Sequence, residues 1–179
     1  MVSLSRAAVL LATVVFAATA LEAQDRGGAE RAYFRAVASF FQVPRAEIAI
    51  LSNWELPPDE IPVVLFMARR AGVSAEALVA LRKSGRSWTD LAERYRIEAR
   101  ALHVPLPDRA SAGTLAQVYE RFRETPVAEW STIRLGGADI VALVNVRVLA
   151  QSLGMRPEEI MQRTGSTATF VELYAQLIR

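Results

Sequence analysis

Three sets of side chains in this chain have the types needed for chemistry: one histidine, a scatter of carboxylates, and arginines concentrated near residues 82–100. His103 lies within Leu102-His103-Val104-Pro105. A nucleophilic triad would need it held between a serine and an acid such as Asp108, and no Gly-x-Ser-x-Gly elbow presents a serine. Packing at a loop end is the expected role. One histidine and no cysteine cannot assemble the usual transition-metal ligand sets, and the chain has no Gly-x-Gly-x-x-Gly, P-loop or calcium-loop motif. No catalytic residue, cofactor site or metal site is predicted.

Paired carboxylates can cleave glycosidic bonds without histidine or cysteine. Glu55, Asp59, Glu60, Glu76, Asp139, Glu158, Glu159 and Glu172 are candidates by type. Asp59, Asp90, Glu158 and Glu172, however, fall in predicted first helical turns, where an acid favours the helix dipole. An enzyme of this class would require two buried carboxyls facing one cleft.

Arg82, Lys83, Arg86, Arg94, Arg96 and Arg100 form a candidate patch for an anionic partner, within LRKSGRSWTDLAERYRIEARALH at 81–103. That segment resembles a helix-turn-helix, with Trp88–Arg94 as first helix, Tyr95-Arg96-Ile97 as turn and Glu98–His103 as reader. A reading helix must project side chains into a major groove. This one is cut short by Pro105 and would present Glu98 and Arg100, a mixed pair. The segment therefore reads as a solvated helix face with Trp88 and Leu91 in the core, and nucleic-acid binding is not expected.

Asn145 and Arg147 interrupt the longest apolar stretch of the remaining chain. A buried arginine is costly unless paired, so an acid from the other half of the chain is expected to join Arg147 in an ion pair holding the halves together. A polar ligand site at these two residues is the alternative. Trp54, Trp88 and Trp130 read as core anchors.

The elements that must position these groups are helical. Ala32, Phe34, Val37, Ala38, Phe40 and Phe41 predict an amphipathic helix ending before Pro44, and residues 45–51 a short second one. After Pro57-Pro58, Asp59 is placed to cap a long apolar helix through Ala71, with Pro62 tolerated in its first turn. Gly72 ends that helix, and Ser74 caps 75–83. Ser87-Trp88-Thr89-Asp90 has the pattern of a capping box for the helix through Tyr95. Residues 104–113 read as a linker, and 114–124 as an amphipathic helix with Leu115, Val118, Tyr119 and Phe122 on one face. Val144, Val146 and Val148 alternate with Asn145 and Arg147 like a strand. The unbroken stretch 138–153, rich in Ala and Leu, favours a buried helix instead.

A shift of 82 positions aligns Ala68 with Ala150, Gly72 with Gly154, Glu76 with Glu158, Ser84 with Ser166 and Leu91 with Leu173. The capping pattern recurs as Thr169-Phe170-Val171-Glu172. A weaker echo at a shift of 30 pairs Val43, Ile48 and Leu51 with Val73, Leu78 and Leu81. The predicted fold is an all-α compact helical domain built on two copies, plus a partial third, of a helix–Gly turn–helix–turn–helix unit. The halves span about 59–102 and 138–179 of a single domain, 31–179.

Ahead of that domain, one positive charge precedes the apolar run Ala7–Leu21, which ends at Glu22. Such a run is short for a membrane span and suits a secretory signal peptide over 1–23, cleaved after Ala20 or Ala23. Residues 24–30 then read as a flexible spacer. The expected location is periplasmic or secreted, with no stable membrane anchor after cleavage. No cysteine is present to carry a lipid anchor or a disulfide, so stability must come from apolar packing, which 52% hydrophobic residues can supply. A net charge of +2 is too small to imply a polyanion partner.

The segments IPVVLFMARRAGVSAEALVALRKSGRSWTDLAERYRI and WSTIRLGGADIVALVNVRVLAQSLGMRPEEIM resemble an uncharacterised family of exported bacterial helical proteins. The likeness covers most of the chain from about Phe40 to Phe170, and implies bacterial origin and an exported helical domain without supplying any site residue. The combined expectation is a non-catalytic helical interaction or structural module of the cell envelope, whose partner is another envelope protein. An envelope glycan-cleaving enzyme is the alternative; a helix-turn-helix-like nucleic-acid binder is a second one if the chain is not exported.

Overall fold

The computed structural model describes residues 27–179, and these residues form an all-α domain. The predicted signal peptide and both cleavage positions lie outside the described residues. Helix α1 occupies residues 27–41, so Gly27–Glu30, expected to be spacer, already belong to it. The other helices are α2 (Arg45–Ser52), α3 (Ile61–Ala71), α4 (Ala75–Lys83), α5 (Trp88–Arg94), α6 (Ala99–Leu102), α7 (Ala116–Glu124), α8 (Gly137–Leu153), α9 (Pro157–Arg163) and α10 (Phe170–Leu177). Short 3₁₀ segments cover Pro58–Glu60, Gly113–Leu115 and Val127–Thr132. Among the described residues no helix is long and apolar enough to cross a membrane.

The alternating valines at 144–148 belong to α8, a helix, because their neighbours bury them on almost every side. Leu143, Val146, Val148 and Leu149 are all fully buried, and α8 packs against α3, α5, α6 and α9. Helix α3 is apolar for the same reason, with Ile61 to Met67 buried without a break. A helix apolar all round has to be central, since a surface helix needs only one apolar stripe.

Four helix ends share one device. The residue after the helix or its last turn adopts a left-handed conformation, and the next, apolar residue donates its N–H to a carbonyl five positions back. The left-handed residues are Gln42, Gly72, Arg96 and Gly154. The bonds run from Val43 to Ala38, Val73 to Ala68, Ile97 to Ala92 and Met155 to Ala150, at 2.8–3.2 Å. This satisfies carbonyls that a helix end leaves unpaired and turns the chain into the next short helix. The segments related by the 82-residue shift carry their helices in one order: α3, Gly72, α4, α5, then α8, Gly154, α9, α10.

The capping expectations divide. Ser87 and Asp90 make the full reciprocal box on α5. At α10, Thr169 accepts from the Glu172 N–H, but the Glu172 carboxylate takes the N–H of Ala168, one residue beyond the box. Asp59 does not cap α3. Its carboxylate crosses to the start of α10 and accepts from Phe170 N–H at 3.0 Å and Val171 N–H at 3.3 Å. The segment read as a linker, 104–113, is free of helix up to Ala112 but packed: Val104 and Ala112 are buried, and the Tyr119 hydroxyl donates to Val104 O at 2.6 Å.

Candidate functional site

The 3₁₀ turn at Pro58–Glu60 is the junction of the molecule, and its position follows from Pro57-Pro58, which exclude helix until the turn is complete. Asp59 and Glu60 leave this turn in different directions. Asp59 reaches α10, as described. Glu60 is buried and takes the Arg82 guanidinium of α4 in a two-pronged bond, Nη2 to Oε1 at 2.8 Å and Nε to Oε2 at 3.0 Å. The same guanidinium lies over the Trp88 ring, 5.4 Å from its centroid.

These side chains border a cleft of about 460 Å³ between the two halves of the chain. Asp59, Glu60, Arg82 and Trp88 line one part of it; Gly137, Ala138 and Val141 of α8 and Thr164, Thr167 and Phe170 of the α9–α10 region line the rest. Two carboxyls therefore do face one cleft. Both are occupied: each Asp59 oxygen accepts a main-chain N–H, and each Glu60 oxygen accepts from Arg82. Burial pushes the Asp59 carboxyl above the ordinary aspartate range, aided by the charges of Glu172 and Glu60 and opposed by the two N–H groups of α10.

Behind the cleft, Asn145 is fully buried and fully bonded. Its Oδ1 accepts from the Tyr33 hydroxyl at 2.5 Å, and its Nδ2 donates to Asp59 O at 2.9 Å and Val141 O at 2.8 Å. All the polar capacity such a group needs in a core is thereby met. Asn145 and Asp59 together connect α1, the 3₁₀ turn, α8 and α10. Burial raises Tyr33 well above the usual phenol range, reinforced by the Asp59 charge.

Arg147 behaves differently from expectation. Among the described residues no acid pairs with it. Its Nη2 donates to Ala101 O at 3.2 Å and His103 O at 2.9 Å, and its guanidinium lies over Phe66, 5.3 Å from the ring centroid. The unpaired carbonyls at the end of α6 supply negative potential in place of a carboxylate, since a helix C-terminus carries that partial charge. Asn145 and Arg147 are three-point and two-point anchors on separate neighbours, and the structure does not bring them into one site.

His103 sits against aromatic rings, with centroids 4.5 Å away in Trp130, 4.7 Å in Phe122 and 5.7 Å in Tyr119. Burial, then the Arg147 charge, hold it below the usual imidazole range. Among the described residues its ring makes no hydrogen bond or ion pair with a serine or an acid. Trp130 is anchored by its N–H to Phe122 O and Thr125 O.

The basic residues of 82–100 are spread over several partners. Arg82 is held by Glu60, Lys83 lies 3.4 Å from Glu55, Arg94 covers Tyr95, and Arg100 donates to Val127 O. Lys83, Arg86, Arg94, Arg96 and Arg100 are exposed. The helix-turn-helix likeness has the expected first helix and turn, but its reader is the four-residue α6, which buries Ala99 and Leu102. Among the described residues no group of His, Cys, Asp and Glu has the arrangement to hold a metal ion.

Sequence reasoning named Asp59, Glu60 and Trp88 one by one but not the cleft they share. The signal available was a chain breaker before each long apolar helix, Pro57-Pro58 ahead of one and Gly136-Gly137 ahead of the other. Comparison of the chain with known protein families, curated proteins and solved structures finds no match in any of the three.

Proposed function

We propose that this protein is a non-catalytic helical binding module of the bacterial cell envelope, using the cleft between its two halves to hold a partner there. The carrying observation is the commitment of both cleft carboxylates to structural work, Asp59 to α10 and Glu60 to Arg82. A glycosidase needs one acid free to protonate the leaving oxygen and a second free to attack or activate water. A cleft whose acids are both tied down, with Arg82 and several threonines around it, suits recognition better than catalysis. The halves are read as copies of one unit, with a partial third, joined at this cleft. The apolar run and small residues of the first 23 positions support export, as does the resemblance to exported helical proteins. The short α6 favours a folded surface over a groove reader of nucleic acid.

The test places a photo-crosslinking residue at Thr167 in the full chain, expressed in a bacterial host. Fractionation is expected to find the protein in the periplasm or medium, and irradiation to join it to a component of the envelope. In parallel, purified envelope glycan is incubated with the protein and new reducing ends are counted. Cytoplasmic recovery of the whole chain overturns the location, and reducing ends that vanish in Asp59→Asn or Glu60→Gln establish the enzyme instead.

A further inference from the structure

Helices α1 and α2 border a groove of about 470 Å³ that shares no residue with the cleft. Arg31, Phe34 and Arg35 of α1 and Arg45, Ile48 and Ala49 of α2 line it, at the spacing of one face on each helix. The floor is apolar, with Ile48 buried and Phe34 half-buried, and the three arginines stand exposed around it. Elsewhere Arg82 holds Glu60, Arg121 lies against Asp139 and Arg156 holds Glu159. Among the described residues, Arg31, Arg35 and Arg45 make no hydrogen bond, ion pair or ring contact. Glu30 is the one acid lining the groove, against these three cations. Arg45 adds to the imbalance: it opens α2, whose entrance has no side-chain cap, so its charge stands at the positive end of the helix dipole.

The whole chain carries only +2, so any attraction for an anion here is local. The apolar surface beside the arginines narrows the kind of anion. On the outward side of α2, Ala46, Ala49 and Ile50 are exposed, and Ile50 keeps 52% of its surface in water. A free phosphate or carboxylate would match the arginines and leave this ridge and the Phe34–Ile48 floor against water. A bilayer surface matches both, because its phosphates lie at the headgroups and its alkyl boundary begins just beneath them.

We propose that the α1–α2 groove is where this protein rests on an anionic phospholipid surface. Arg31, Arg35 and Arg45 take the headgroup phosphates, and Ile50 with its neighbouring alanines enters the boundary between headgroups and acyl chains. The contact is peripheral and reversible, and it leaves the cleft free for a partner. It rests on the export reading for the membrane that the protein meets.

Sucrose-loaded vesicles of phosphatidylcholine, with and without phosphatidylglycerol, are sedimented with the protein as the host releases it, its N-terminus defined by mass. The neutral vesicles report any affinity of the apolar run Ala7–Leu21 itself. Phosphatidylglycerol is expected to strengthen binding by about tenfold or more. Replacing Arg31, Arg35 and Arg45 together by Gln is expected to weaken it by about fivefold per charge, about a hundredfold in all. Arg96, Arg109 and Arg163 are equally exposed and, among the described residues, equally without side-chain partners. Replacing those three by Gln removes the same charge far from the groove and is expected to weaken binding by less than about fivefold. If the groove variant does not fold, Arg31→Gln with Arg35→Gln carries the same comparison. Because the chain has no cysteine, Ile50→Cys gives a single labelling site. A polarity-sensitive dye there is expected to shift to the blue on anionic vesicles and to be quenched by brominated acyl chains. Equal losses from the two sets of arginines, no gain from phosphatidylglycerol, or an unmoved dye overturns the proposal. Release from the vesicles by inorganic phosphate, or by polyglutamate at equal charge, overturns it in favour of a free anion or an acidic peptide. The vesicle result holds in any compartment, so its failure is distinct from failure of the export reading, which fractionation decides.

Discussion

The Asp59 carboxylate accepts the main-chain N–H of Phe170 at 3.0 Å, across 111 residues of sequence. It is a helix cap delivered from the opposite half of the molecule, so the first turn of α10 is completed only when the halves meet. Removing it by Asp59→Ala is expected to cost about 1–2 kcal/mol, as loss of a cap does. Urea unfolding measures the loss, and hydrogen exchange is expected to quicken across Phe170–Leu177 before the rest of the domain.

Asp59→Asn should separate the cap from its charge. The folded-state pKa is raised, so the associated stability is complete below the unfolded aspartate value and is lost as pH rises through the folded value. Wild-type stability therefore carries a component that declines with rising pH just above the ordinary aspartate range. Asparagine retains one acceptor and does not titrate. Stability curves of the variant are expected to lack that component, and a curve of unchanged shape refutes the assignment.

The Tyr33–Asn145 pair is suited to a double-mutant cycle. Asn145→Ala strands a fully buried hydroxyl and frees the Asp59 carbonyl, and is expected to cost about 2–4 kcal/mol. Adding Tyr33→Phe removes the stranded donor. The double variant should then lie closer to wild type than the sum of the singles by at least about 1 kcal/mol, measured by denaturant unfolding.

Gly113 holds φ at +55°, and a Cβ there would stand 1.9 Å from the main-chain oxygen of Met161. Backbone cannot yield as a flexible side chain does. Gly113→Ala is expected to destabilise by about 3 kcal/mol or more, combining the left-handed penalty with overpacking. A melting temperature close to wild type would show that the α9 junction is looser than this geometry.

Gln42 and Arg96 occupy the left-handed position that Gly72 and Gly154 fill at the equivalent helix ends. A side chain there costs about 1–2 kcal/mol, partly offset by the freedom glycine loses on folding. Gln42→Gly and Arg96→Gly are each expected to stabilise the protein by up to about 1 kcal/mol, read as a higher melting temperature.

His103 should make the domain acid-sensitive. Its folded pKa lies below the unfolded value, so its contribution to stability is present above the ordinary imidazole range and is lost as pH falls through it. Replacing His103 with Phe keeps an aromatic ring against Trp130 and Phe122. The variant is expected to lose less stability than wild type between pH 7.5 and about 5, as followed by thermal melts.

The residues of 72–75, 87–90 and 154–157 show what the sequence by itself determined. Glycine tolerates the left-handed turn, serine caps the following helix, and proline opens one. These preferences act within one turn of backbone and need no distant partner, so the helical class and most helix ends are readable from local types. The buried helix α8 was legible from the length and composition of 138–153 for the same reason.

The tertiary structure alone decided the pairings. Asp59 has the sequence position of a cap for α3, yet its carboxylate is claimed by α10; Arg147 finds the carbonyls at the end of α6 instead of an acid; and Glu60 is matched to Arg82 across 22 residues. Each choice compares free energies of burial and hydrogen bonding among groups brought near one another only by packing. The cleft belongs to the same category. Its acids and its arginine are ordinary residues along the chain, and they border one cleft because α8 and the 3₁₀ turn at Pro58–Glu60 start at one place in space.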